Sequence, residues 1–152
     1  MKIFIGGDHR GFKLKKEITV LLKESGHTVE DVGVHEEGVI CDYPSLSYAV
    51  ATGVAKSKNA RGILICMTGN GHVIAANKVK GAYAALCYNK QAALLSREHN
   101  NANILVLGAR FTPKKDIQGI IKAWLNAKFE GGRHLRRIRQ IKEIEKKTMK
   151  SQ

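Results

Sequence analysis

Ile63-Leu64-Ile65 is an aliphatic run short enough for a buried strand. Thr68-Gly69-Asn70-Gly71 follows it closely, and then a helical stretch from Val73 to Val79. A strand, a glycine-containing turn and a helix start in immediate succession make a concave nest of backbone N–H groups. Cys66 falls at the carboxyl end of the strand and is expected to point into that nest. The helix dipole is expected to lower its pKa and favour the thiolate. A thiolate beside a ring of N–H donors suits the removal of a proton and the holding of the resulting oxyanion. A buried structural cysteine at a strand end fits the same residues, since buried free cysteine is common. These residues alone leave both readings open.

The rest of the chain alternates in the same way. Strands are expected over Lys2 to Gly6, Thr28 to Val32, Ala82 to Cys87 and Ile104 to Leu107. The first helix carries Phe12, Leu14, Ile18, Leu21 and Leu22 on one stripe, with Lys13, Lys15, Lys16, Lys23 and Glu24 outside it, and Gly26 ends it. Pro44 marks the first turn of a second helix, and Lys90 to Arg97 is a short one. Pro113 opens a helix through Ile117, Ile120, Ile121, Trp124 and Leu125. Gly131-Gly132 breaks the chain before a last, basic helix from Arg133. Such alternation predicts an α/β fold with a five-stranded parallel sheet covered on both faces, a three-layer sandwich, with the basic helix at its end. All 152 residues are expected to form one domain, 1–152. Ligands of such sheets bind beyond the carboxyl ends of the strands. Asp8-His9 after the first strand, Cys66 to Gly71 after the third and His99-Asn100 near the fifth are expected to gather there.

Composition excludes several classes. No apolar run approaches the ~20 residues that span a membrane, and Met1-Lys2-Ile3-Phe4-Ile5 is too short and strand-like for a signal peptide. Cys41, Cys66 and Cys87 have no metal-type spacing and read as free thiols of a cytoplasmic protein, with no metal or cofactor expected. The net charge of +13 implies affinity for anions. Arg133 and Arg137, four apart on one helical face, suit a fork around a phosphate. A solvated surface and a nucleic-acid grip compete with that reading; the absence of interleaved aromatics, and Glu143 and Glu145, argue against nucleic acid.

Taken together, the motifs resemble ribose-5-phosphate isomerase of type B and the related sugar-phosphate isomerases. The likeness is carried by Gly7-Asp8-His9-Arg10-Gly11, Asp42-Tyr43-Pro44, Ile65-Cys66 with Thr68-Gly69-Asn70-Gly71, and Ile74-Ala75-Ala76-Asn77-Lys78. It continues through Ser96 to Asn103, Gly108-Ala109-Arg110 and Gly131-Gly132-Arg133-His134. The resemblance implies a Rossmann-like sheet, a homodimer or dimer of dimers, no metal, and interconversion of ribose 5-phosphate and ribulose 5-phosphate in the pentose phosphate pathway. It implies that Cys66 moves the proton between C2 and C1. Gly69, Asn70, Gly71, His72 and Val73 form the nest for the enediolate, which Asn100 supports. Asp8, Thr68 and His99 serve opening of the sugar ring. His9, Arg110, Arg133 and Arg137 contact phosphate and hydroxyls. His99, Asn100 and Arg110 are expected from the neighbouring subunit.

Three residues depart from that pattern. The family usually has Gly where this chain has Met67, and often a small polar residue at Val73; His72 falls where a branch lacking the cysteine carries a glutamate base. The expected substrate is a five-carbon sugar phosphate. A six-carbon one, allose or galactose 6-phosphate, is the nearest rival. A non-catalytic phosphate- or nucleotide-binding protein on the same scaffold is the rival from another class, against which Cys66, Thr68, His99 and Asn100 together argue.

Overall fold

The structure, a computed structural model, describes residues 1–149. Five strands, β1 (Lys2–Gly7), β2 (Thr28–Asp31), β3 (Arg61–Cys66), β4 (Ala84–Leu86) and β5 (Ile104–Gly108), form one parallel sheet in the order β2-β1-β3-β5-β4. The helices are α1 (Phe12–Glu24), α2 (Tyr43–Lys56), α3 (Asn70–Ala76), α4 (Lys90–Glu98), α5 (Lys114–Asn126) and α6 (Gly132–Thr148). The α/β three-layer expectation is met. Among the described residues no helix is long and apolar enough to cross a membrane.

The period-two alternation of the central strands builds both faces. Ile3, Ile5, Ile63, Ile65, Leu105 and Leu107 point one way, onto Ile18 and Leu22 of α1, Ala93 of α4 and Ile117, Ile120 and Trp124 of α5. Phe4, Leu64, Ile104 and Val106 point the other way, onto Val50, Ala51 and Val54 of α2 and Ala76 of α3. Helix α6 passes the edge strand β4. Glu145 ties it there, accepting the Gly81 N–H at 2.9 Å and the Tyr83 hydroxyl at 3.0 Å.

Two expectations about the helices are corrected. Lys15 is not on the solvent side of α1 but 1% exposed. Its Nζ donates to both oxygens of Asp31, at 2.8 and 2.7 Å, and to the Val34 carbonyl, so its charge is paired where it is buried. Helix α3 begins at Asn70, three residues before the apolar periodicity does. Gly69 adopts φ +91°, which reverses the chain within one residue of Thr68, and a Cβ at Gly69 would overlap Leu86.

Strand β1 is followed by a crossover to one side and β3 is reached on its other side, so the strand order switches direction between β1 and β3. At such a switch the loops diverge and leave a crevice beyond the carboxyl ends. Asp8 leaves β1 and Cys66 ends β3 at that crevice.

Candidate active site

Asp8 and Cys66 are held by their own backbones. Asp8, 7% exposed, accepts the N–H groups of Arg10 (3.0 Å) and Gly11 (2.9 Å) on Oδ1, a turn that launches α1. Gly11 is required there because a Cβ would collide with the Ile65 carbonyl of β3. Cys66 Sγ accepts the Gly69 N–H at 3.0 Å, and the main-chain amides of Thr68 and His72 also face the sulfur. Cys66 therefore does point into the nest.

The expected thiolate is not the resting form. Burial pushes the Cys66 thiol above its ordinary value; the Gly69 amide pulls it down, Asp8 pushes it further up, and the amides of Thr68 and His72 pull it down again, with burial dominant. Not every amide of the nest is open. Asn70 N–H reaches Thr68 Oγ1 at 3.4 Å, and Val73 N–H closes the first helical turn onto the Gly69 carbonyl at 3.1 Å. Gly71 and His72 carry the N–H groups of the first turn that have no helical partner.

His9 and Arg110 stand on the same rim. His9 Nδ1 is buried without a hydrogen-bond partner. Cys41 faces the main-chain amide of His9 and the Asp8 carboxylate. Arg110 N–H donates to the Met67 carbonyl at 3.0 Å, which puts its main chain against the Cys66 loop of its own chain, its side chain exposed.

His99 and Asn100 are elsewhere, and the single-edge expectation is corrected for them. Helix α4 runs antiparallel to the strands, so its C-terminus returns to the amino edge of the sheet. Gly62 pairs with Ile104 at that edge and Cys66 with Gly108 at the other. Four residue steps along the strand separate the two pairs, about 13 Å at ~3.3 Å per step. His99 stacks on His134 with ring centroids 4.2 Å apart and planes 7° from parallel. Glu130 Oε2 lies 3.9 Å from His99 Nε2 and 3.4 Å from His134 Nε2, and Arg133 Nε is 3.5 Å from the latter. Burial, then the charges of His99 and Arg133, hold the His134 imidazole below its ordinary value, while Glu130 opposes them and Arg137 adds to them. Asn100 lines an apolar groove of about 400 Å³ between α6 and β4, with Tyr83, Ala85, Ile138, Ile141 and Ile144.

The chain thus presents two poles. One holds Asp8, His9, Cys66, Thr68, the amides of the first turn of α3 and Arg110. The other holds His99, Asn100, Glu130, Arg133 and His134. A family model described as Ribose/Galactose Isomerase matches residues 3–141. The chain belongs to that family. Among solved structures it is similar to ribose-5-phosphate isomerase B of Clostridium thermocellum, at 51% identity and TM-score 0.92, over 97% of this chain and 99% of that one. It is also similar to ribose-5-phosphate isomerase B of Mycoplasma genitalium with bound ribulose-5-phosphate, at 46% identity and TM-score 0.93, over 97% of each chain. Among curated proteins, ribose-5-phosphate isomerase B of Escherichia coli is 44% identical over 146 residues, 96% of this chain and 97% of that one. The resemblance read from the motifs is borne out.

Among the described residues, two groups of side chains offer metal-type donors with atoms within 4.8 Å of one another: Asp8, Cys66 and His72, and His99, Glu130 and His134. In the second, the adjoining Arg133 and Arg137 charges repel a cation. Sequence reasoning missed Ser47, which is fully buried and bonded to His72 Nδ1 at 2.7 Å. A serine inside an amphipathic helix carries no signal of its own. It also missed Glu130 and His134 as partners of His99; only the adjacency of His134 to Arg133 hinted at them. Tyr43 lies in a motif that the sequence did flag. Its ring meets that of His72 edge-on at 5.7 Å and walls Gly71.

Proposed function

We propose that this chain is an aldose–ketose isomerase that interconverts ribose 5-phosphate and ribulose 5-phosphate through an enediolate, with Cys66 as the base. The observation that carries the reading is the Cys66 sulfur, 3.0 Å from the Gly69 N–H, at the mouth of an amide nest in the switch-point crevice. Mere phosphate binding requires no such thiol. Membership of the Ribose/Galactose Isomerase family supports the reaction class, and the relative crystallised with ribulose-5-phosphate supports the five-carbon substrate.

In this mechanism Arg133 and Arg137 grip the phosphate, and His9 and Arg110 contact phosphate and hydroxyls. Asp8, Thr68 and His99 assist opening of the furanose ring. Cys66 takes the C2 proton of the open aldose, the 2-hydroxyl proton passes to O1 of the enediolate, and Cys66 returns its proton to C1. The amides of Gly71 and His72, with Asn100, hold the charge that develops on oxygen. The site is shared between two copies of the chain, in a homodimer or dimer of dimers: one copy gives the Cys66 pole and its partner gives the His99 pole. The ~13 Å of strand between the two poles of a single chain supports that arrangement.

Cys66→Ala tests the base. Isomerisation of ribose 5-phosphate is expected to vanish while the thermal melt is unchanged, since a small residue replaces a small one. Retention of most of kcat makes Cys66 structural and removes the reading. The same assay run over allose 6-phosphate and galactose 6-phosphate decides the substrate, with a higher kcat/KM for either overturning the five-carbon choice.

A further inference from the structure

His72 is fully buried in the first turn of α3, and its two ring nitrogens are treated very differently. Nδ1 lies 2.7 Å from Ser47 Oγ. Ser47 Oγ in turn lies 2.9 Å from the Tyr43 carbonyl, which only accepts. A hydroxyl has one proton to give. Ser47 gives it to Tyr43, so its oxygen must receive the hydrogen of His72 Nδ1–H. This assignment leaves the lone pair on Nε2. Nε2 is buried and has no hydrogen-bond partner.

An unmet buried acceptor is costly unless it has a use. The titratable groups that face His72 are Asp8 from the β1–α1 turn, Tyr43 from α2 and Cys66 from β3; the Ile65 carbonyl also faces the ring as an acceptor, and with Asp8 it favours the protonated imidazole against burial. A ring nitrogen of His72, the Cys66 sulfur and an Asp8 oxygen lie within 4.8 Å of one another. That spacing is beyond a direct hydrogen bond, and contacts of a proton-transfer site tighten when substrate binds. The proposed reaction needs a thiolate, yet burial keeps Cys66 as a thiol and His72 as a neutral imidazole. The thiol needs an internal acceptor for its proton, and the imidazole needs a donor.

We propose that His72 is the positioning residue that activates Cys66: Nε2 accepts the thiol proton, and Ser47 fixes the tautomer that leaves Nε2 free to do so. This rests on the reading of Cys66 as the base. The protons balance. The S–H bond breaks as the Nε2–H bond forms, giving thiolate and imidazolium with Asp8 beside them. The thiolate takes the C2 proton and becomes thiol; in the enediolate the 2-hydroxyl proton passes to O1; the thiol then returns its proton to C1. When product leaves, Nε2 gives its proton back to sulfur. The same pairing gives a role to a residue that departs from the family pattern.

The test uses the whole protein and the variants His72→Asn, His72→Gln and Ser47→Ala. Alkylation of Cys66 by iodoacetamide is followed from pH 5.5 to 9.5 by peptide mass spectrometry, with Cys41 and Cys87 as internal references, alongside kcat and KM. Both His72 variants are expected to slow Cys66 alkylation at neutral pH and shift its rise to higher pH, leaving the reference cysteines unchanged. Their kcat is expected to fall roughly a hundred-fold or more, in the range of general-base catalysis, with KM little changed. Ser47→Ala is expected to shift both readouts less, in the same direction. An unmoved Cys66 alkylation profile in the His72 variants overturns the proposal, whatever happens to activity. If those variants do not fold, an unmoved profile in Ser47→Ala overturns it. An alkylation shift in a protein whose Cys66→Ala variant still isomerises upholds the pairing and removes instead the reading of Cys66 as base.

Discussion

Complementation between two inactive variants tests the shared site directly. Cys66→Ala removes the proposed base from one pole, and His99→Asn removes from the other the imidazole proposed to open the ring. Within one chain these residues belong to opposite edges of the sheet, separated by about 13 Å of strand, and the β3–β5 register from Gly62↔Ile104 to Cys66↔Gly108 fixes that separation rigidly. No side-chain motion brings them together. Each pure variant is therefore expected to be nearly inactive. When equal amounts are unfolded together and refolded, half of the two-fold interfaces are hybrid. In a hybrid, one site takes Cys66 from the His99→Asn chain and His99 from the Cys66→Ala chain, and is intact. The other site carries both lesions. Half the interfaces with one good site of two gives about a quarter of wild-type activity, as two-fold symmetry requires. The assay is ribulose 5-phosphate formation after refolding, with hybrids counted by native mass spectrometry. If each site is built from one chain, every site carries at least one lesion and nothing returns. No recovered activity in a sample with proven hybrids refutes the composite site and the role assigned to His99.

Other outcomes follow from the same geometry. Arg133→Ala and Arg137→Ala are each expected to raise KM for ribose 5-phosphate about ten- to a hundred-fold, from charge-assisted bonds of roughly 1.5–3 kcal/mol; unchanged kinetics in both returns α6 to a solvated surface. Asp31→Ala strands the buried Lys15 ammonium and is expected to cost about 3–5 kcal/mol, whereas Lys15→Met costs far less because an apolar group fills the same space; equal losses in chemical denaturation refute that account. The folded-state pKa of His72 is lowered by burial, so below pH 6.5 the unfolded chain takes the proton first and stability falls as the pH drops. Burial raises Cys66 and Cys87, so past pH 9.0 the unfolded chain loses protons first and stability falls as the pH rises. Thermal melts from pH 5 to 10 check both limbs, and a flat acid limb that His72→Asn does not alter contradicts the first.

Much of the architecture was legible because the central strands carry their pattern in full. Ile63-Leu64-Ile65 is apolar on both faces, as a strand buried between two helix layers must be. The glycine turns and Pro44 punctuate it. Lys15 was not legible, because hydropathy places any lysine outside, and only β2 brings Asp31 to neutralise it. The start of α3 was not legible either. Asn70, Gly71 and His72 have no apolar periodicity, and they become helical because Gly69 turns the chain back over Cys66.

The candidate site was legible by residue type and misread by edge. Asp8, Cys66 and Thr68 follow strands and stay where strands end. His99 and Asn100 follow a helix, and in a parallel sheet every crossover helix carries the chain back to the amino edge. A sequence with its polar residues divided between strand ends and helix ends therefore divides them between opposite edges of one layer. The proposed shared site closes that gap by setting the strand-end pole of one copy against the helix-end pole of its two-fold mate. The same division separates two tasks. Burial and a rigid turn hold the thiol, its amides and His72 in the crevice, while His99, 35% exposed, and the arginines stand near solvent. The proposed composite site joins a buried thiol pole to an exposed basic rim, and neither pole of one chain supplies both.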